Sequence, residues 1–108
     1  MSEYCPDRWV IIRIKSDEFG TVDKLYSGNY GGWAGSDTWK MNSGIKCLHD
    51  KGEYYDVIGP SGSVYKCYKA VEGMSIYMQG MLEYFRSVTS EHPFTIDVIG
   101  PEEVQLCV

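Results

Sequence analysis

The chain has 108 residues, of which 44% are hydrophobic and 23% are charged, so residues 1–108 are expected to form a single globular domain. The formal net charge is −5, and this acidic balance disfavours duplex nucleic acid, since phosphate binding needs clustered Lys and Arg. No apolar run approaches the roughly 18 residues of a membrane span, and the N-terminal residues lack the pattern of a secretory signal. We therefore expect a cytoplasmic protein with no membrane partner.

The first predicted strand covers residues 8–15, which alternate with the period of a β-strand. Its two faces are Val10, Ile12 and Ile14 on one side and Trp9, Ile11, Arg13 and Lys15 on the other. The second face carries two charges and is expected to be partly wet. Turn residues follow at 17–20, and a β-like stretch over 21–26 completes a predicted hairpin.

A segment rich in glycine and aromatic residues follows the hairpin, from Tyr26 to Ile45. Glycine is typical of sharp turns and close backbone approaches, and Trp and Tyr combine a large apolar surface with one polar group. Such a segment is either an ordered structural plug or a recognition surface. Both interpretations remain open at this point.

Residues 45–70 predict a three-stranded antiparallel meander, because turn residues at 50–52 and 59–62 separate three β-like stretches. Adjacent strands would bring Tyr54, Tyr65 and Tyr68 together as a cross-strand aromatic cluster. We expect Trp33 and Trp39 to fold back over this cluster, since a large exposed aromatic area favours aggregation unless a partner covers it.

From residue 72 the hydrophobic period lengthens to that of an α-helix. The predicted apolar face consists of Met74, Tyr77, Met78, Met81, Leu82 and Phe85. Gly80 is expected to permit close contact between helix and sheet, and the helix should end before Pro93. A last strand is predicted at 94–99. The fold class that follows is α+β: an antiparallel sheet of about six strands, in the order ββ–loop–βββ–α–β, with one amphipathic helix packed on a face.

The four cysteines are Cys5, Cys47, Cys67 and Cys107, and their spacing matches no familiar zinc motif. Because no secretory signal is visible, we expect reduced thiols. Cys47 and His49 would share one face of a strand, but a metal site also needs Cys67 and a fourth ligand to converge on them. Small buried side chains and one surface histidine are the favoured interpretation, with no metal and no cofactor.

Catalytic signatures are sparse. The segment Gly59-Pro-Ser-Gly-Ser63 is not a GxSxG nucleophile elbow, and no dinucleotide-binding or P-loop motif occurs. His49 could lie near Ser63 at the ends of antiparallel strands, which leaves a hydrolase-like enzyme as a third hypothesis. A non-enzymatic protein is the expectation, with no catalytic residues assigned.

A binding module is the favoured class, because aromatic anchors beside short polar side chains are typical of interfaces. The candidate binding residues are Tyr30, Trp33, Asp37, Trp39 and Asn42, with Tyr65 and Tyr68 behind them. The expected partner is a protein, including a second copy of this chain through an edge strand or the tyrosine face. The alternative is a small-ligand or glycan-binding module that uses the two tryptophans.

Three blocks of the chain resemble short uncharacterised proteins of bacteriophages and bacteria, over residues 8–80. They are Gly31-Gly-Trp33, Trp39-Lys-Met-Asn-Ser-Gly-Ile45 and Ser61-Gly-Ser-Val-Tyr-Lys-Cys67. The resemblance implies a phage or prophage accessory protein in a bacterial host cell that acts by binding a host protein. It implies no activity, ligand or catalytic residue.

Overall fold

The computed structural model describes residues 3–18, 20–30, 38–91 and 94–107. In chain order the elements are β1 (Glu3–Tyr4), β2 (Arg8–Ser16), β3 (Gly20–Asn29), β4 (Thr38–Met41), β5 (Cys47–Asp50), β6 (Tyr54–Ile58), β7 (Val64–Tyr68), α1 (Ile76–Val88) and β8 (Phe94–Ile99), with short 3-10 turns at Lys69–Val71 and Pro101–Glu103. The predicted α+β class, with antiparallel strands and one helix on a face, is confirmed. The strands are divided between two sheets, however, and they number more than six.

The two sheets and the helix form three layers. The central sheet has the strand order β4-β3-β2-β8, and the outer sheet has the order β1-β7-β6-β5. One core lies between the two sheets, and a second lies between the central sheet and α1. The predicted hairpin corresponds to β2 and β3, and the predicted meander corresponds to β5, β6 and β7. The one parallel pair of described strands joins β1 to β7.

The second face of strand β2 is partly exposed, as expected, because burial declines from Trp9 and Ile11 towards the exposed Lys15. Trp9 and Ile11 have no exposed surface because the outer sheet packs against them. The Trp9 indole Nε1 donates a hydrogen bond of 2.7 Å to the backbone oxygen of Tyr68. Further along the same face, Arg13 pairs with Asp23, its direct partner on β3, at 2.8 Å from Nε to Oδ1. Burial therefore reaches as far along this face as the outer sheet does.

Helix α1 packs on the opposite face of the central sheet through Met78 and Leu82, both of which are buried. Ser75 caps its first turn, since the side-chain oxygen accepts from the backbone N–H of Met78 at 3.1 Å. The Tyr26 hydroxyl donates to the backbone oxygen of Met78 at 2.7 Å. The close approach of α1 to β3 requires a glycine at position 28, because a Cβ at Gly28 would lie 2.6 Å from Met78 Sδ.

The role expected for Gly80 is wrong. A Cβ at Gly80 would meet no atom within 4 Å, and the residue is exposed on the solvent side of the helix. Gly28 provides the close approach between helix and sheet instead. Among the described residues, no helix is long and apolar enough to cross a membrane.

The C-terminal segment returns to the free edge of β5, and this contact corrects the expectation of four reduced thiols. Leu106 forms a parallel bridge with Leu48, and the backbone N–H of Cys107 donates to Leu48 O at 2.8 Å. The segment thereby brings Cys107 beside Cys47, and the two form a disulfide. Cys5 and Cys67 are free thiols. The pairing joins residues 60 apart in the chain, so local sequence patterns contain no sign of it.

Candidate functional site

The predicted Gly/Trp recognition surface is only partly within the described residues, because Trp33 and Asp37 lie outside them. Tyr30 is 51% exposed at the end of β3. Its hydroxyl accepts a hydrogen bond of 3.0 Å from Arg8 Nε, and its backbone N–H donates to Asp7 Oδ2 at 2.8 Å. Tyr30 is therefore fixed by hydrogen bonds, while its ring remains accessible to solvent.

The side chains of Trp39 and Asn42 make contacts inside the protein. Trp39 packs edge-on against Phe85 of α1, with ring centroids 5.0 Å apart, in the core beneath the helix. It thus lies in a different layer from the outer-sheet tyrosines, and the expectation that it folds over them is wrong. The Asn42 side chain accepts from Leu25 N–H at 2.8 Å and donates to Gly44 O at 2.7 Å. Both polar atoms of Asn42 are used to fix the chain after β4.

The three tyrosines of the meander do not form one cluster, which corrects a second expectation. Tyr54 and Tyr68 are direct cross-strand partners on the solvent face of the outer sheet, with centroids 5.3 Å apart. Lys66 Nζ lies 4.5 Å above the Tyr54 ring on the same face. Tyr65 points to the opposite face, packs against the inter-sheet core and stacks on Tyr4 at 5.1 Å. The five described candidate residues consequently do not converge on one surface.

The geometry does not assemble the hydrolase-like pair. His49 is the cross-strand partner of Asp56 on β6, whereas Ser63 precedes β7 beside Gly59. The two residues are separated by strand β6 and by three registers, or roughly 10 Å in each direction. The hydroxyl of Ser63 lies instead 3.4 Å from that of Ser61. Within the described ranges, no hydrogen bond links His49 to a serine.

The metal-ligand set that Cys47 and His49 would need is also not assembled. Cys47 is bonded to Cys107, and Cys67 lies on the inner face of the outer sheet with no exposed surface. In the described part of the chain, no three His, Cys, Asp or Glu side chains are grouped as metal ligands.

Two buried titratable groups, Cys67 and Tyr26, have raised pKa values. Burial raises the pKa of the Cys67 thiol far above its ordinary value. Burial also raises the pKa of Tyr26 to about 12, and its hydroxyl is occupied by the hydrogen bond to Met78 O. Cys67 is therefore not activated as a nucleophile, because thiolate formation is what makes a cysteine reactive.

The most exposed apolar surface of the described chain lies on the solvent side of α1, where sequence analysis assigned no role. Ile76 is 88% exposed, Tyr84 is 58% exposed and Val88 is 51% exposed. With Gly80 these residues recur every four positions and form one continuous row along the helix, which we call the α1 ridge. A buried helix face and an exposed apolar face therefore lie on opposite sides of the same 13 residues.

Gly80 lies within the α1 ridge and has no packing role inside the molecule, since the space where a Cβ would stand is open. A glycine in a helix interior costs about 1 kcal/mol relative to alanine. At this position the open space would allow a partner to approach the helix backbone closely. The ridge thus combines apolar side chains with an open space over the helix backbone at Gly80.

No protein family, curated protein or solved structure matches this chain. Function is therefore inferred from the surfaces of the molecule itself, and the α1 ridge is the surface that internal packing explains least.

Proposed function

We propose that this protein acts by binding another protein, and that the α1 ridge inserts into an apolar groove of that partner. The observation that carries the proposal is the exposure of Ile76, Tyr84 and Val88 on one side of a helix whose other side already supplies the core. Scattered exposed apolar residues are ordinary, but a continuous row is typical of an interaction site. Amphipathic helices commonly bind partners in this way, through anchors one turn apart.

The size of the α1 ridge favours a grooved partner over a second copy of this chain. The ridge spans the 13 residues of α1, about 20 Å long and roughly 10 Å wide, and two crossing helices touch over only part of that length. A stable interface buries about 800 Å² on each partner. Two ridges crossing each other would fall well short of that area, whereas a groove that encloses the helix would also bury its flanks, including Tyr77.

Two of the sheet edges, at β5 and β8, are already contacted by other parts of the chain. The edge of β5 is occupied by the C-terminal segment through Leu48 and Leu106. On the edge strand β8, the Arg86 guanidinium donates two hydrogen bonds to the backbone oxygen of Ile96, at 2.9 and 3.2 Å. Charged side chains placed on an edge oppose the addition of another strand. Homodimerisation through these two edges is accordingly not part of the proposal.

The class of partner is proposed from the resemblance to phage and bacterial proteins. In that setting the protein would be a non-enzymatic accessory protein in a bacterial host, and the partner would be a host protein; the Cys47–Cys107 disulfide does not favour a reducing cytoplasm as its location. This context is part of the proposal and is independent of the ridge geometry.

The experiment is comparative capture from a bacterial lysate with immobilised parent, Tyr84→Ser and Tyr30→Ser proteins, followed by mass spectrometry. The two variants are matched in chemistry, and the two side chains are similarly exposed, at 58% and 51%. Loss of an aromatic anchor is expected to weaken binding by roughly thirtyfold, equivalent to about 2 kcal/mol. We expect a protein that parent and Tyr30→Ser retain and Tyr84→Ser loses. The reverse pattern would return the binding site to the Gly/Trp segment and refute the ridge.

A further inference from the structure

A second feature lies on the buried side of α1, where the helix covers only part of the central sheet. A groove of about 420 Å³ remains between the C-terminal half of α1 and the sheet face. Its lining residues are Ile14, Lys24, Trp39, Met41, Leu82, Phe85, Thr89 and Ile96. Its volume falls within the range of small-molecule sites, which are mostly apolar with a few polar groups.

Among the described residues that line this groove, Lys24 is the only one with a charged side chain. It lies on β3 opposite Ile12, on the same strand face as Tyr26, so its side chain emerges beneath the helix. It is partly buried. Among the described residues, its ammonium group has no ion-pair partner and no hydrogen-bond acceptor. A lysine in such a position can bury its methylene stem against the groove while its ammonium group stays available to an anionic ligand.

The neighbouring acidic residues do not neutralise Lys24. Asp23 is on the opposite face of β3, where it pairs with Arg13 at 2.8 Å. Asp97 is the cross-strand partner of Arg13 on β8 and therefore also faces away from the groove. On the helix side, the guanidinium of a second cation, Arg86, hydrogen-bonds the backbone oxygen of Ile96 in the groove wall. The charge of the groove is thus positive, in a protein whose net charge is −5.

We propose that this groove binds a small amphipathic monocarboxylate, with its carboxylate on Lys24 and its apolar body against Trp39 and Phe85. An apolar body would cover the rings of Trp39 and Phe85, which meet edge-to-face at 5.0 Å. A carboxylate would supply the missing counter-charge through a charge-assisted hydrogen bond, which is stronger than a neutral one. A neutral apolar molecule would leave the ammonium group unpaired. The α1 ridge is on the other side of the helix, so this site is independent of the proposed protein contact.

The probe is decanoate, with decanol as the uncharged molecule of equal length, and binding is measured by isothermal titration calorimetry. The test variant is Lys24→Met, which removes the charge but retains an apolar chain of similar length. The matched control is Lys15→Met, which changes the net charge equally at an exposed position of β2 that faces away from the helix. Lys24→Arg serves as the conservative variant, since it restores a cation at the same place.

We expect the parent to bind decanoate more tightly than decanol. Lys24→Met should weaken decanoate binding roughly ten- to a hundredfold, the range for losing one hydrogen bond to a charged group, and should leave decanol binding unchanged. Lys15→Met and Lys24→Arg should bind decanoate within about threefold of the parent, because both keep a cation at position 24 and surface changes elsewhere have small effects. Equal affinity for the two probes, no binding of either, or equal losses in Lys24→Met and Lys15→Met would each overturn the proposal. Lys24→Met should fold, because a methionine suits an apolar groove.

Discussion

Gly28→Ala is the substitution whose effect is most directly fixed by the packing of the helix on the sheet. The added Cβ would lie 2.6 Å from Met78 Sδ and 2.8 Å from Met78 Cγ. Restoring an ordinary van der Waals contact of at least 3.4 Å requires Met78 Sδ to move by about 0.8 Å or more. Met78 has no exposed surface, and its backbone oxygen accepts the Tyr26 hydroxyl, so this movement would disturb the core. We expect a loss of about 1–3 kcal/mol in the free energy of unfolding, as for overpacked cores.

Gly80→Ala is the matched control, because it adds the same methyl group on the open side of the same helix. It should stabilise the protein by about 1 kcal/mol through helix propensity alone. The two variants should therefore shift the free energy of unfolding in opposite directions. Urea unfolding followed by circular dichroism, with the disulfide intact, measures both.

The steric cause is tested separately by introducing Gly28→Ala into a Met78→Ala background. Met78→Ala alone should cost about 2–5 kcal/mol, but it removes the atoms that the new Cβ would meet. Gly28→Ala should then be neutral or stabilising, which gives a coupling energy of about 1–3 kcal/mol between the two positions. Equal effects of Gly28→Ala in both backgrounds, or a Gly28→Ala protein as stable as the parent, would refute this account of helix packing.

Three further predictions concern the cores and the disulfide. Replacing Cys47 and Cys107 by serine should lower the free energy of unfolding by about 2–4 kcal/mol, as expected for a long closed loop; an unchanged urea midpoint would show that the C-terminal segment is held by other contacts. Trp39→Ala should cost about 3 kcal/mol, and a Trp39→Ala protein that melts like the parent would return Trp39 to the candidate recognition surface. Because the pKa of Tyr26 is raised to about 12 from 10.0 in the folded state, the folded protein retains a proton that the unfolded chain loses. Stability should therefore fall as the pH rises from 10 towards 12, by up to about 1.4 kcal/mol per pH unit, and Tyr26→Phe should fall less steeply if the account is correct.

The elements with strong local periodicity could be predicted from the sequence. The alternation in β2, the turn residues of the meander and the 3.6-residue period of α1 are local signals, and each corresponds to an element of the fold. The burial of Trp9 and Ile11 could not be predicted in the same way, because it depends on a second sheet formed from residues far along the chain. The same reason applies to Cys107, whose contact with Cys47 spans 60 residues.

Two features of the surfaces were present in the sequence as patterns. Alternation along β7 places Tyr65 and Tyr68 on opposite faces, which is incompatible with a single tyrosine cluster. The spacing of Ile76, Tyr84 and Val88 at multiples of four defines a second apolar row on the helix. The row becomes distinctive only when the Met78 face is known to be covered, because either face could contact the sheet.

Photo-crosslinking from the α1 ridge tests the central claim most directly. A photo-crosslinking phenylalanine replaces Ser87, an exposed residue between Tyr84 and Val88, and an equivalent protein carries it at the exposed Ser43. In a bacterial lysate we predict a crosslinked protein from position 87 and not from position 43. Excess parent should abolish the crosslink, and excess Tyr84→Ser should not. Two results would contradict the proposed function. One is that excess Tyr84→Ser competes away the crosslink as effectively as excess parent, and the other is that no protein crosslinks specifically from position 87.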